Sequence, residues 1–308
     1  MSAIFRVPGS LFGALGNPKV EDFVEGLPGA GLSALYLFDN GPAGQAFSGP
    51  AEDRSGNGRH AQLWTGSVAH KTAGGVSNVA APSDPANRGF GILTPVSITR
   101  KFTIFGVMRN LLAADPASTS QIFTMPWLSS GDAISPANPS TSGSIGIAGD
   151  DDGRFHINME NGVAGARDYA EVGIFGQSPN GAGGQNPWFS SGSARPFVTL
   201  DTSTPKNSWV AWALSFDADA GILILRAFNS VIYRDGIQTP ARLWADGQVS
   251  RGGKHSFGML PYSAGSHLVK GEVAQAGIYS GLAKSGDELA TLLAAVKSQL
   301  APRLGTIL

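Results

Sequence analysis

Between Trp209 and Phe216 the chain alternates strictly. Val210, Trp212, Leu214 and Phe216 fall on one side; Trp209, Ala211, Ala213 and Ser215 fall on the other. A period of two is that of a strand with two distinct faces, so the pattern predicts a strand and assigns the first four residues to a core. Shorter apolar runs of the same type occur at Leu35–Phe38, Phe102–Met108, Ile222–Leu225, Asn229–Tyr233, Phe257–Leu260 and Val269–Tyr279. They are rich in β-formers and bounded by turn residues, such as Asp217-Ala-Asp-Ala-Gly221 and Asp235-Gly236. Ser144–Ala148 and Phe155–Met159 flank Gly149-Asp-Asp-Asp-Gly153, which predicts a hairpin turn. Ile104 and Ile278 join the expected core.

The period changes near the C-terminus. Ser285 is followed three residues later by Glu288, the pattern of a capping box. Leu289, Leu292, Leu293, Val296 and Leu300 then recur at helical spacing, up to Pro302, which is expected to end the helix. At the other end, Asn17-Pro18 reads as a helix start, with Glu21 and Asp22 in its first turn and Gly26-Leu-Pro-Gly29 as its stop. These signals divide the chain into an extension over 1–31, a β-domain over 32–284 and a helix with tail over 285–308. Two loops, Ser129–Gly143 and Gly176–Pro196, are long and rich in Gly, Ser, Pro and Asn; loops of this length usually contact a ligand or partner.

Composition narrows the function. The 308 residues are 42% apolar, enough for a core, but only 15% charged, below the usual quarter. A surface this poor in charge favours one covered by partners. The net charge of −1, from 22 basic and 23 acidic residues without a Lys/Arg cluster, disfavours nucleic-acid binding, which needs a basic stripe. Cysteine is absent, so there are neither disulfides nor thiolate metal sites. No apolar stretch reaches the 18 residues of a membrane span. The first ten residues lack a basic segment followed by an apolar run, so the expectation is synthesis in a cytoplasm without a classical export signal.

Candidate chemistry is sparse. The seven glutamates include one close pair, Glu21 and Glu25, and it lies in the extension rather than on a strand. Asp150, Asp151 and Asp152 sit in a Gly-bounded turn, where Asp is favoured for backbone reasons. Asp53 and Asn57, in the turn Asp53-Arg-Ser-Gly-Asn-Gly58, offer oxygens of the kind Ca²⁺ takes; a purely structural turn ranks ahead of that role. The five histidines are scattered without metal-ligand spacing. Trp127, Trp188 and Phe189 lie near Pro and Gly/Ser runs, outside any periodic strand, and could stack on sugar rings or anchor a protein contact. Phe5, Leu11, Phe12 and Phe23 give the extension apolar side chains that need a surface to cover them.

Five segments, in order, resemble a laminin-G-like domain of the concanavalin A-like lectin-glucanase superfamily. They are Leu35-Tyr-Leu-Phe38 with Asp53–Gly58, Phe102-Thr-Ile-Phe105, Trp209–Asp217, Ile222–Gly236, and Lys270-Gly-Glu-Val-Ala-Gln-Ala-Gly-Ile-Tyr279 leading to the helix. The resemblance implies an all-β jelly-roll sandwich with an N-terminal extension and a C-terminal helix. Such domains occur in bacteriophage tails, baseplates, fibres and decoration proteins. The leading expectation is therefore a non-enzymatic virion component made in a bacterial host cytoplasm. It would sit as a homo-oligomer among other virion subunits, without cofactor. The alternatives are a carbohydrate-binding module for a surface glycan and, third, a glycan-degrading enzyme. The enzyme reading lacks the pair of strand-borne carboxylates that glycosidases use.

Overall fold

The computed structural model describes residues 23–63, 69–78, 80, 90–110, 123–124, 127–130, 154–161, 168–175, 197–199, 208–227, 230–234, 254–259 and 271–308. In chain order the strands are β1 (Phe23–Val24), β2 (Leu27–Pro28), β3 (Leu32–Tyr36), β4 (Gln62–Leu63), β5 (His70–Lys71), β6 (Val76–Ser77), β7 (Phe90–Ser97), β8 (Lys101–Asn110) and β9 (Phe123–Thr124). They continue as β10 (Trp127–Ser130), β11 (Arg154–Asn161), β12 (Asp168–Phe175), β13 (Phe197–Thr199), β14 (Val210–Asp217), β15 (Ile222–Ala227), β16 (Ser230–Arg234), β17 (Lys254–Met259) and β18 (Gly271–Ser280). Among the described residues one helix, α1 (Gly286–Leu304), follows.

Among the described residues the strands form two eight-stranded antiparallel sheets and a small hairpin. The first sheet runs β16-β15-β14-β8-β18-β6-β5, with β3 also paired to β18. The second runs β13-β12-β11-β10-β17-β7-β4, with β9 on β11. The sheets pack face to face. Ile92, Val96 and Phe257 of the second sheet share one buried cluster with Phe102, Ile104, Val210, Trp212, Leu214, Phe216 and Ile278 of the first. All six expected core residues, the four from alternation together with Ile104 and Ile278, lie in that layer. The expected all-β sandwich with a C-terminal helix is the observed fold.

The opposite face of β14 is buried too. Trp209, Ala211 and Ala213 join Phe105, Val107 and Tyr279 under the helix stripe Leu289, Leu292, Leu293, Val296 and Leu300. The molecule is thus three layers deep, sheet on sheet on helix. The capping box forms as expected: Ser285 Oγ accepts from Glu288 N, and the Glu288 carboxylate accepts from Ser285 N at 2.7 Å. The helix runs through Pro302 to Leu304. In the last turn the missing proline N–H removes a single bond, and Gly305, at φ 76°, closes the end by donating to Ala301 O at 2.9 Å.

Two glycines let aromatic rings lie flat on the central sheet. Gly106 pairs with Trp212 in the register of β8 and β14, and a Cβ there would sit 2.7 Å from Trp212 Cζ2. Gly277 pairs with Phe105 on the helix-facing side, where a Cβ would overlap Cζ and Cε1 of the ring. Strand glycines commonly mark such close approaches.

The helix expected near residue 18 lies outside the described residues, but its predicted end is a hairpin instead. Phe23 and Val24 pair with Pro28 and Leu27, and the turn places Glu25 and Gly26 at φ 52° and 82°. Two consecutive left-handed residues make a tight hairpin turn, which no helix accommodates. Leu27 is fully buried in the layer beneath the helix, and Tyr279 Oη donates to Pro28 O at 2.7 Å. Leu27 and Pro28 thus pack against the layer beneath the helix.

Candidate recognition surface

Strand β3 leads into an exposed loop, residues 39–50, and the structure holds that loop from three directions. The first hold is the Asp53 carboxylate. Its Oδ1 accepts from Leu35 N at 3.0 Å and Ser55 N at 2.8 Å, and its Oδ2 accepts from Arg59 N at 2.9 Å. Burial pushes this carboxyl up, but the hydrogen bonds from Ser55, Arg59 and Leu35 outweigh it and hold the group below the usual carboxylate range. Asn57 Nδ2 donates to Leu32 O and Ser33 O at 2.9 and 3.2 Å, and Tyr36 Oη donates to Arg59 O at 2.7 Å. The turn 53–60 is thereby stitched along β3. The two oxygen-bearing residues considered for calcium are both engaged in this stitching, Asp53 as acceptor and Asn57 as donor.

The second hold is cationic. Lys71 Nζ donates to Phe38 O, and both Arg303 Nη atoms donate to Leu37 O at 3.1 Å. Arg303 Nη2 also donates to Ala274 O at 3.0 Å, so the end of the helix, the central strand β18 and the end of β3 meet at one side chain. Burial, and then the nearby Arg303 charge, lower the Lys71 ammonium from its ordinary value; Asp39 and Glu272 pull the other way. Phe38 itself takes φ 48°, a conformation rarely adopted by a bulky residue, and its ring packs edge-on against Phe47 at 6.2 Å.

The third hold is a short backbone ladder. Gly44 N donates to Lys71 O, Lys71 N to Gln45 O, and Phe47 N to Ala69 O, at 2.7–2.8 Å. Next to Lys71, Thr72 Oγ1 donates to Glu272 Oε1, and Arg109 binds Glu272 Oε2 through Nε at 2.7 Å and Nη2 at 2.6 Å. Glu272 is 1% exposed, so its carboxylate is a buried acceptor held by the partly exposed Arg109.

On that base stands a polar rim. Arg54 Nη2 donates to Asp39 Oδ1 and Asn40 Oδ1, both at 3.1 Å, and Asn40 Nδ2 donates to Glu52 Oε2 at 2.7 Å. Asp39, Asn40 and Glu52 are exposed. A carboxylate, an amide, a guanidinium and a second carboxylate are thus lined up with fixed orientation, and each keeps donors or acceptors free for a ligand.

Of the aromatic residues considered for contact, Trp127 opens strand β10, opposite Gly258 of β17, rather than lying outside a strand. Trp188 and Phe189 lie outside the described residues, as do Asp150, Asp151 and Asp152 and the extension residues Phe5, Leu11 and Phe12. Phe23 is in β1. Among the described residues no group of three or more His, Asp or Glu side chains is placed to hold a metal ion, and no helix is long and apolar enough to cross a membrane. The rim had no signature in sequence, because its supports come from residues as distant as Leu37 and Arg303.

No protein-family model and no curated protein sequence matches the chain. Solved structures with a similar outline include the lectin UEA-II complexed with galactose, 12% identical over 72% of this chain and 93% of that one, TM-score 0.43. Another is domain 4 of the GH43 extracellular arabinanase AbnA from Geobacillus stearothermophilus in complex with arabinotriose, 16% identical over 85% of this chain and 98% of that one, TM-score 0.42. A third is the leech intramolecular trans-sialidase, 16% identical over 63% of this chain, TM-score 0.36; the match spans only 23% of that enzyme's length.

Proposed function

We propose that this chain is a non-catalytic recognition domain that binds a glycan at the Asp39–Arg54 rim. The observation that carries the reading is the rim itself: exposed planar hydrogen-bonding groups from Asp39, Asn40 and Glu52, linked to one another through the half-buried Arg54 guanidinium and the Asn40 amide. Sugar hydroxyls both donate and accept, so vicinal pairs are matched by adjacent carboxylate, amide and guanidinium groups. Holding these side chains in place beforehand reduces the ordering cost of binding. Loops on a rigid scaffold are the usual place for such contacts. The test is a glycan array followed by titration calorimetry on the best hit. Asn40→Ala and Asp39→Ala should each weaken binding at least tenfold without changing the melting temperature. An array without a hit, or a hit whose affinity the two variants leave unchanged, overturns the reading.

A second reading, a subunit of a larger particle such as a virion tail or baseplate, is supported by the apolar Phe5, Leu11 and Phe12 ahead of the packed domain. Removing residues 2–22 should then leave the domain folded and abolish its self-association in light scattering. A monomer with or without those residues counts against it.

A further inference from the structure

Strand β17 carries His255 into the layer between the two sheets. The residue is 1% exposed, and among the described residues neither ring nitrogen has a hydrogen-bond partner. Its ring stands edge-on to Phe102 of β8, centroids 5.0 Å apart at 70°, and Phe102 in turn stacks on Phe216 of β14 at 5.0 Å and 19°. The hydroxyl of Thr94, on the neighbouring β7, is committed to His255's own carbonyl at 2.7 Å. We propose that His255 is an acid trigger in this sandwich: a proton taken up by its ring parts the second sheet from the first.

Among the described side chains nothing offers that proton stabilisation. From β7 the inward side chains are Ile92, Thr94 and Val96; from β8, Phe102 and Ile104; from β14, Leu214 and Phe216. None of them titrates. The ionised groups adjacent in sequence face away. Lys254 is exposed and donates to Ser97 Oγ at 2.7 Å. Lys101 and Asp217 pair with each other at 3.2 Å and flank Phe102 and Phe216 on strands whose side chains alternate, so they fall on the other face of the first sheet. An imidazolium here would be an unpaired charge in an apolar layer, which is among the most expensive arrangements a core can hold. The inexpensive escape is to expose β17 to water.

The direction with pH follows. Burial alone holds the folded ring down at about 3, against 6.5 in the open chain. The open form binds a proton that the closed form refuses. The stabilisation is therefore complete above pH 6.5 and declines as pH falls toward 3, with the opening constant rising about tenfold per pH unit. Between pH 7 and pH 5 the expected rise is about 25-fold, in a window where most carboxylates remain ionised.

The experiment is equilibrium unfolding in urea at pH 7, 6 and 5, on the full chain and on His255→Phe, together with amide hydrogen exchange of the full chain over the same range. The full chain should show the 25-fold rise in its unfolding constant, and His255→Phe should lose most of it. Amides of β17 and β7 should lose protection as pH falls through an opening that leaves those of β8, β14 and β18 better protected, the latter falling only with the global unfolding constant. The proposal fails if the phenylalanine variant retains the full slope. Should that variant not fold, unchanged protection of β17 at pH 5 in the full chain overturns it.

Discussion

Gly277→Ala adds one methyl group to the centre of the first sheet, where there is no room for it. A Cβ at that position would overlap Cζ and Cε1 of Phe105 and lie 2.9 Å from Cε2. Carbon atoms in contact prefer about 3.5–4.0 Å, so the ring would have to move by more than about 1 Å. It has nowhere to go: Phe105 is fully buried, with the Tyr279 ring 5.7 Å away and the helix leucines above it. Overpacking of this kind costs about 1–3 kcal/mol. Since three ring atoms crowd the new group, the upper end applies, about 3 kcal/mol. Gly277 has no left-handed φ, so alanine brings no backbone strain to confuse the result. Urea unfolding followed by tryptophan fluorescence measures the loss. Phe105→Leu removes the obstructing ring edge, so the double variant should be more stable than the sum of the two single losses by at least about 1 kcal/mol. Gly286→Ala, at a glycine with open space around it, is the control and should stay within about 0.5 kcal/mol of the parent. If Gly277→Ala behaves like Gly286→Ala, or if the two changes are simply additive, the ring-on-glycine packing does not hold the sheet as argued.

Asp53→Asn should lower stability at pH 7 by about 3 kcal/mol, since an amide cannot replace all three accepted backbone N–H bonds. Because the folded carboxyl is held low, that stabilisation is full above about pH 4 and fades as pH falls further. The gap between the variant and its parent should therefore narrow progressively as pH falls below about 4 in urea titrations. Ser285→Ala removes the cap and should cost about 1 kcal/mol by the same assay, with Glu288→Ala adding little on top because the two act as one box.

The strongest sequence signal was alternation, and it survived folding. Val210, Trp212, Leu214 and Phe216 do line one layer, because a period of two leaves a strand no other way to sort its faces. The helix was equally legible from its cap and its leucine spacing. What could not be seen was that the second face of β14 is buried as well, although Ala211 and Ala213 hinted that something packs close there. Strand β7 was missed because Pro95 interrupts it. The proline is exposed and sits where the pairing with β17 slips, between Lys254 opposite Ser97 and Ser256 opposite Leu93. A bulge is where a strand accepts a residue without an N–H. The segment Gly26-Leu-Pro-Gly29 would end a helix as readily as it follows the hairpin turn at Glu25-Gly26, so the sequence does not separate the two. The rim was out of reach for a different reason. Lys71, Arg303 and Glu272 carry no local pattern and gain meaning only once the sheet brings them beside Leu37 and Phe38.

The pairing of β18 has a consequence for how the chain comes to be folded. This strand lies between β8 on one side and β3 on the other, with Ala276 opposite both Gly106 and Tyr36. Strand β3 (Leu32–Tyr36) is made well before β18 (Gly271–Ser280), its only described sheet partner. During translation its five residues, all buried in the finished domain, stay unpaired until β18 emerges. Closing such distant contacts is slow, and an apolar strand left waiting is a site for association with other chains. Yield of soluble protein should then depend on how quickly synthesis delivers residues 271–280, and slow codons shortly before that segment should increase aggregation, whereas the same codons after it should not.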